Sequence, residues 1–171
     1  MKNRNGLMTD LTHERLKMLL HYDPESGIFT RLSSASTRPL KGKPAGSANG
    51  SGYLFIMLDK RRYQAHRLAW FYMTGAWPKK NLDHRDMNVA NNKWGNLREA
   101  SNSQNGANRA RYANNTSGFK GVIWDKKHKA WVARVRVNRK YHYLGSFRFA
   151  EQAHRAYALA AKEAFGEFAR V

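Results

Sequence analysis

The sequence predicts an α+β fold organised as two small modules, and three observations carry that reading. Apolar residues recur at helical spacing near the start and in an alanine-rich stretch at the end. Short alternating runs bounded by turn residues lie between them. The pattern changes at Asn114-Asn115-Thr116-Ser117-Gly118, a polar stretch that reads as a boundary. The 171 residues suffice for one domain or two small ones. Five Trp, eight Tyr and eight Phe are enough to fill their cores.

Residues 1 to 8 carry no periodic pattern. Leu11, Leu16, Leu19 and Leu20 predict a helix over about 12–21, with Thr12 as N-cap and Leu11 and Leu16 at staple spacing. Asp23-Pro24-Glu25-Ser26-Gly27 then breaks it as a turn. Residues 33–52, rich in Ser, Gly, Pro and basic side chains, read as a basic loop or arm that could contact the backbone of a polyanion. Residues 1–52 are thus one region, an N-terminal helix and basic loop.

Tyr53 to Leu58 and Tyr63 to Ala65 predict a hairpin turning at Asp59-Lys60, followed by a helix from His66 to Met73 that Gly75 and Pro78 end. Leu82-Asp83-His84 comes next, then an asparagine-rich loop through Asn92, then Trp94 to Ala100. Ser101 and Gln104 form a capping box for a short helix holding Asn105 and Asn108. Residues 53–110 make a second region, with 111–116 as linker. Within 117–171, Ile123-Trp124, Trp131 to Val137 and Tyr141 to Phe147 predict three strands, with turns at 125–129 and 138–140. A helix from Ala150 to Phe165 carries small residues, Ala153, Ala160, Ala161 and Ala164, that let it lie close on a three-stranded antiparallel sheet.

Charge narrows the partner. There are 31 Lys+Arg against 12 Asp+Glu, a formal net charge of +19, with a basic excess in both halves of the chain. Such a surface favours a polyanion, and nucleic acid leads. Zero cysteine excludes a disulfide scaffold, a thiolate zinc site, an iron–sulfur cluster and a cysteine nucleophile. No run approaches the roughly 20 apolar residues of a membrane span, and the N-terminus lacks a signal peptide's apolar stretch.

The chemistry concentrates around residue 84. Asp83 and His84 are neighbours, so on a regular strand they face opposite ways and reach one site only where the strand ends. Asp83 and an Asn105 carbonyl are hard oxygen donors suited to Mg²⁺. His84 is a group that can accept a proton from water at neutral pH. Against this, an Asp-His pair is by default an ordinary surface pair, loop asparagines are turn formers, and His66 is by default a satisfied structural histidine. Arg67, Arg85 and Arg98 are candidates for phosphate contacts or simply solvated charge. In the C-terminal module, alternation puts Val132, Arg134 and Arg136 on one face and Trp131, Ala133, Val135 and Val137 on the other. One face is a core; the other is free to enter a DNA major groove, or is the solvated side of a small domain.

Two resemblances sharpen this picture. Ala65-His66-Arg67-Leu68-Ala69-Trp70, Leu82-Asp83-His84-Arg85-Asp86, Asn91-Asn92, Asn96-Leu97-Arg98 and Ser103-Gln104-Asn105 resemble the HNH endonucleases carried by bacteriophages and mobile introns. Leu19 to Phe29 resembles the leader that often precedes that domain, so the likeness covers about residues 10 to 110. It implies a ββα-metal fold with His84 as general base, Asp83 and Asn105 binding one divalent metal, and Asn96 bracing the loop that carries His84. Asn105 stands where many relatives have a second histidine ligand, which favours Mg²⁺ or Mn²⁺ over Zn²⁺. With no cysteine, no structural zinc is expected.

The segments Ser117 to Val122, Trp131 to Arg136, Leu144 to Phe147 and Ala150 to Ala161 resemble the Apetala-two/ethylene-response-factor DNA-binding domain. That likeness implies a DNA-reading face with Lys120, Arg134, Arg136 and Tyr143. Ile123 and Arg134 depart from the plant pattern, so the target sequence does not transfer. Together the resemblances imply a metal-dependent endonuclease acting on double-stranded DNA, of homing or phage type, working in the host cytoplasm if phage-encoded. No membrane association or secretion is expected from the apolar pattern, and no small-molecule cofactor is expected beside the metal. The alternatives are a non-catalytic DNA-binding regulator with a degenerate HNH module and, from charge and aromatics alone, an RNA-binding protein.

Overall fold

The computed structural model describes residues 10–33 and 40–171, so the expectations for residues 1–8 and for the middle of the basic loop lie outside it. Helix α1 runs His13–Leu19, and the Thr12 side chain caps it by accepting from the Arg15 amide at 3.2 Å. It stops short of residue 21. Leu20 adopts extended backbone and pairs with Arg31, opening strand β1 (Leu20–Asp23) against β2 (Ile28–Arg31). The reason is burial with period two: Leu20, Tyr22 and Phe29 all lie in the core, and the Tyr22 and Phe29 rings meet at 4.7 Å.

Strands β3 (Ser47–Ala48), β4 (Leu54–Leu58) and β5 (Arg61–Gln64) form an antiparallel sheet in that order. Asp59 and Lys60 turn the β4–β5 hairpin with φ of 45° and 64°, the two left-handed positions of a tight two-residue turn. Helix α2 (Ala65–Thr74) follows at once and ends at Gly75, which has φ 75° and donates its amide to Phe71 O at 2.9 Å. Leu11, Leu16, Leu20, Tyr22 and Phe29 pack in one core with Ile56, Leu58, Leu68 and Phe71. The N-terminal helix and hairpin therefore share the hydrophobic centre of the β4–β5–α2 layer.

Strand β6 (Asn81–His84) pairs with β7 (Leu97–Ala100), which a single 3₁₀ turn at Trp94–Asn96 precedes. Helix α3 (Asn102–Asn108) carries the complete Ser101–Gln104 capping box. Along the chain the order is strand, strand, helix, the order of elements that the resemblance implies. By compactness the chain divides into residues 1–99 and 100–171, which groups α3 with the C-terminal unit.

In that second unit β8 (Val122–Asp125), β9 (Ala130–Val137) and β10 (Lys140–Phe147) form an antiparallel sheet ordered β10-β9-β8, and α4 (Ala150–Phe165) covers it. Ala133 and Val135 are buried on the inner face, as the alternation requires, against Ala153, Tyr157 and Ala161 of α4. Gly121, with φ 76°, lies so close to the Tyr157 ring that a Cβ there would clash with the ring's Cδ2, Cε2 and Cγ. Gly121→Ala is expected to destabilise this unit by about 2 kcal/mol or more, from overpacking plus the left-handed backbone. Urea denaturation followed by Trp fluorescence checks it; an unchanged midpoint would contradict the packing described.

Candidate active site

The end of β6 brings Asp83 and His84 into the interior together, each 5% exposed. A strand would separate them, but the chain turns immediately: Met87 adopts φ 65° and its amide reaches His84 O at 2.9 Å, while the Arg85 amide reaches Asn96 O at 2.9 Å. His84 Nε2 lies 3.3 Å from Asn92 Oδ1. The imidazole also meets the His66 ring edge-on at 5.2 Å and the Tyr53 ring at 6.2 Å.

Asn96 fastens the loop between them. Its Nδ2 donates to Asp86 Oδ1 at 2.9 Å and to Asn91 O at 2.8 Å, and its Oδ1 accepts from the Asp86 amide at 3.1 Å. Asp86 is the second organiser, taking Asn91 Nδ2 at 2.6 Å and the Asn88 amide at 2.9 Å. Burial pushes the Asp86 carboxyl up, but the hydrogen bonds from Asn91, Asn96 and Asn88 outweigh it and hold the group below its ordinary value of 3.8. A depressed folded-state value contributes stability above about pH 4 that is lost as pH falls through it. The stability gap between the wild type and Asp86→Asn should therefore be open at neutral pH and close in acid. A gap independent of pH would contradict this account of the loop.

Asp83 has a partner that spacing did not suggest. Arg98 Nε and Nη2 reach its Oδ2 at 3.0 and 2.9 Å, and the guanidinium is only 7% exposed. Arg98, a candidate phosphate contact on charge alone, is thus committed to a buried carboxylate. Arg67 is half-buried in the first turn of α2, and Arg85 is exposed. His66 departs from the default of a satisfied core histidine: it is 6% exposed and its Nδ1 has no hydrogen-bond partner. Burial, then His84, then Arg67 push its pKa down to about 3, so it is neutral at neutral pH.

Asn105 is half-buried in the first turns of α3, in the C-terminal unit. Among the described residues no three His, Cys, Asp or Glu side chains cluster as a protein-only metal cage. The donor chemistry nevertheless fits a hard divalent ion. Each of the two expected ligands, the Asp83 carboxylate and the Asn105 carboxamide, is a hard oxygen donor of the kind an ion of the Mg²⁺ class accepts, and such an ion takes few protein ligands and completes its shell with water and phosphate. Arg98 on Asp83 Oδ2 reduces the negative charge such an ion meets.

In the C-terminal unit Arg134 pairs across the sheet with Tyr143, and Arg136 with Tyr141. Both guanidiniums lie over the Tyr141 ring, at 4.5 and 5.3 Å, and Tyr141 and Tyr143 are 58% and 67% exposed. Ile123, opposite Val132, extends this exposed face onto β8. Lys120 is used differently: Nζ donates to Ala107 O at 2.5 Å, Arg109 O at 2.8 Å and Arg170 O at 3.1 Å. Its three donors are occupied by carbonyls, and burial, with Arg170, pushes its pKa down to about 8. The ammonium ties the end of α3 to the C-terminal segment, so a phosphate would have to displace one of those bonds.

Three supporting residues escaped the sequence reading. Asn92 stands in the Asn91-Asn92 pair, yet only its 1% exposure marks it as more than a turn former. Tyr22 holds it, the phenol donating to Asn92 O at 2.6 Å. Gly27 lets the β1–β2 turn approach, since a Cβ there would collide with the Asn92–Lys93 peptide.

Comparison with known proteins gives two family matches and two relatives. Residues 63–107 match a family model described as HNH endonuclease, and residues 117–167 match one described as AP2 domain. The chain is 34% identical over 115 residues to protein 3.8 of Escherichia phage T7, covering 65% of this chain and 94% of that protein. It is 34% identical over 135 residues to an uncharacterized HNH endonuclease of Acanthamoeba polyphaga mimivirus, covering 77% of this chain and 68% of that one. No helix among the described residues is long and apolar enough to cross a membrane.

Proposed function

From a chain that belongs to the HNH endonuclease family and carries an AP2 DNA-binding domain, we propose a divalent-metal-dependent endonuclease that hydrolyses phosphodiester bonds of double-stranded DNA. We assign it to the phage-encoded or homing type, in line with its phage relative. The observation that carries the reading is the buried end of β6, where Asp83 and His84 stand side by side behind a loop that Asn96 closes.

In this reading His84 takes the proton from the attacking water, and its burial keeps bulk solvent from competing for that role. Asp83 and Asn105 hold the cation, Mg²⁺ or Mn²⁺, which when bound stabilises charge on the phosphate and the leaving 3′ oxygen. Asn96 keeps the His84 loop closed through Asp86 and Asn91. Arg134, Arg136 and Tyr143 dock on duplex DNA, with Arg67 as a further phosphate contact. Phosphate contacts of this kind position the enzyme, and the exposed sheet face supplies any sequence preference.

The reading is tested by incubating the protein and Mg²⁺ with duplex DNA while adding RNA of the same sequence in excess. The expected result is scission of the duplex, little affected by the RNA. Displacement of the duplex by RNA without scission would favour an RNA-binding protein instead.

A further inference from the structure

Helix α3 has little reason of its own to form. Its seven residues hold one apolar side chain, Ala107, and an interior glycine, Gly106, and so short a run is marginal in water even for good helix formers. The Ser101–Gln104 capping box satisfies its N-terminal end. Anchors from further along the C-terminal unit hold the rest.

The turn of the β9–β10 hairpin reaches the first turn of α3, where the Asn138 amide donates to Ser103 Oγ at 3.1 Å. Ala107, 6% exposed, shares one core with Tyr157 and Phe165 of α4 and with Phe168 of the 3₁₀ turn Gly166–Phe168. Its carbonyl accepts twice, from the Arg170 amide at 3.3 Å and from Lys120 Nζ at 2.5 Å. Lys120 Nζ goes on to Arg109 O at 2.8 Å and Arg170 O at 3.1 Å, so the three N–H groups of the ammonium are all committed. A helix ends on orphan carbonyls at the negative end of its dipole, and an ammonium there satisfies both the hydrogen bonds and the field. Arg134 and Arg136 differ in kind: they lie over the exposed Tyr141 ring, where a phosphate or a base edge can reach them.

We propose that Lys120 is a positioning residue, whose ammonium clasps the C-terminal end of α3 to the segments at Arg109 and Arg170, so that Asn105, one turn earlier, takes its place from the DNA-binding module. The proposal rests on the endonuclease reading for its consequence, that the module docking on the duplex also places a proposed metal ligand.

Two measurements on the full-length, metal-free protein test it. The first is the salt dependence of duplex affinity. A lysine that contacts phosphate contributes about one to the slope of log K against log salt. Lys120→Met should keep the wild-type slope, with affinity within ~2-fold, whereas Arg134→Ala should lower both. The second is amide hydrogen exchange read by NMR. Residues 105–108 should lose at least ~10-fold in protection in Lys120→Met, because a charge-assisted bond is gone from the helix end, while α4 and the sheet keep theirs. Ser103→Ala, which removes only the hydroxyl that the Asn138 amide reaches, should cost the same amides a smaller factor, ~3-fold.

A slope that falls by about one in Lys120→Met would make Lys120 a phosphate contact and overturn the proposal. Unchanged exchange in α3 would overturn it too, as would a loss of protection spread equally over α4, which would make Lys120 a general folding residue. On the endonuclease reading, Lys120→Met should need at least ~10-fold more Mg²⁺ to reach half its maximal single-turnover rate. A protein that meets both metal-free expectations and yet cleaves nothing, wild type included, keeps the clasp and removes the endonuclease reading.

Discussion

Replacing Arg98 by alanine is expected to destabilise the N-terminal unit by about 3–5 kcal/mol, because it leaves the Asp83 carboxylate buried with its main counter-charge gone. Both members of the pair are more than nine-tenths buried, so the usual discount for a surface ion pair does not apply. The double variant Asp83→Asn, Arg98→Met should recover most of that loss, since it keeps the volume and removes both charges. Urea denaturation reads both effects, with Trp70, Trp77 and Trp94 reporting on the N-terminal unit. An Arg98→Ala protein within 1 kcal/mol of the wild type would mean that Asp83 is hydrated rather than buried. Whatever its stability, the double variant should not cleave, because it lacks the one carboxylate of the proposed metal pair.

His84→Ala is expected to lower the cleavage rate by about 10²–10⁴-fold, the usual contribution of a general base. Duplex affinity should hardly change, because the base stabilises the transition state and not the bound ground state. Single-turnover cleavage beside fluorescence anisotropy separates the two quantities. A variant that loses binding in proportion to cleavage would make His84 a DNA contact or a folding residue. His66 sharpens the comparison: it packs against His84 but is held neutral at neutral pH by burial, so it is a poor substitute for the missing base.

The C-terminal module was legible almost to the residue. Period-two alternation over Trp131 to Val137 and the small residues of α4 state the same fold twice, and β9 and α4 follow. The N-terminus was harder. Leu16, Leu19 and Leu20 fit a helical repeat, but Leu20 also alternates with Tyr22, and the pairing with Arg31 decided in favour of the strand. Four-residue strands such as β1 and β2 give too short a pattern to show in sequence alone.

Within the site, Asp83 and His84 stood out as a carboxylate and an imidazole in one short stretch, but an ordinary surface pair fits the same spacing, and it was the family resemblance that singled them out and gave Asn96 its part. What surrounds them did not stand out. Charge gives no sign of burial, so Arg98 and Lys120 both read as candidates for phosphate although one grips Asp83 and the other three carbonyls. Asn92 and Tyr22 are 70 residues apart, and only the folded chain puts them in contact.

The central claim, metal-dependent scission of DNA at the His84 site, is tested most directly by conversion of supercoiled plasmid with Mg²⁺, with Mn²⁺ and with chelator, wild type beside His84→Ala. The expected result is open-circular or linear product in either metal, none with chelator, and almost none from the variant. Tight duplex binding with no conversion in either metal, repeated on diverse genomic DNA, would contradict it and leave a DNA-binding protein built on an HNH scaffold.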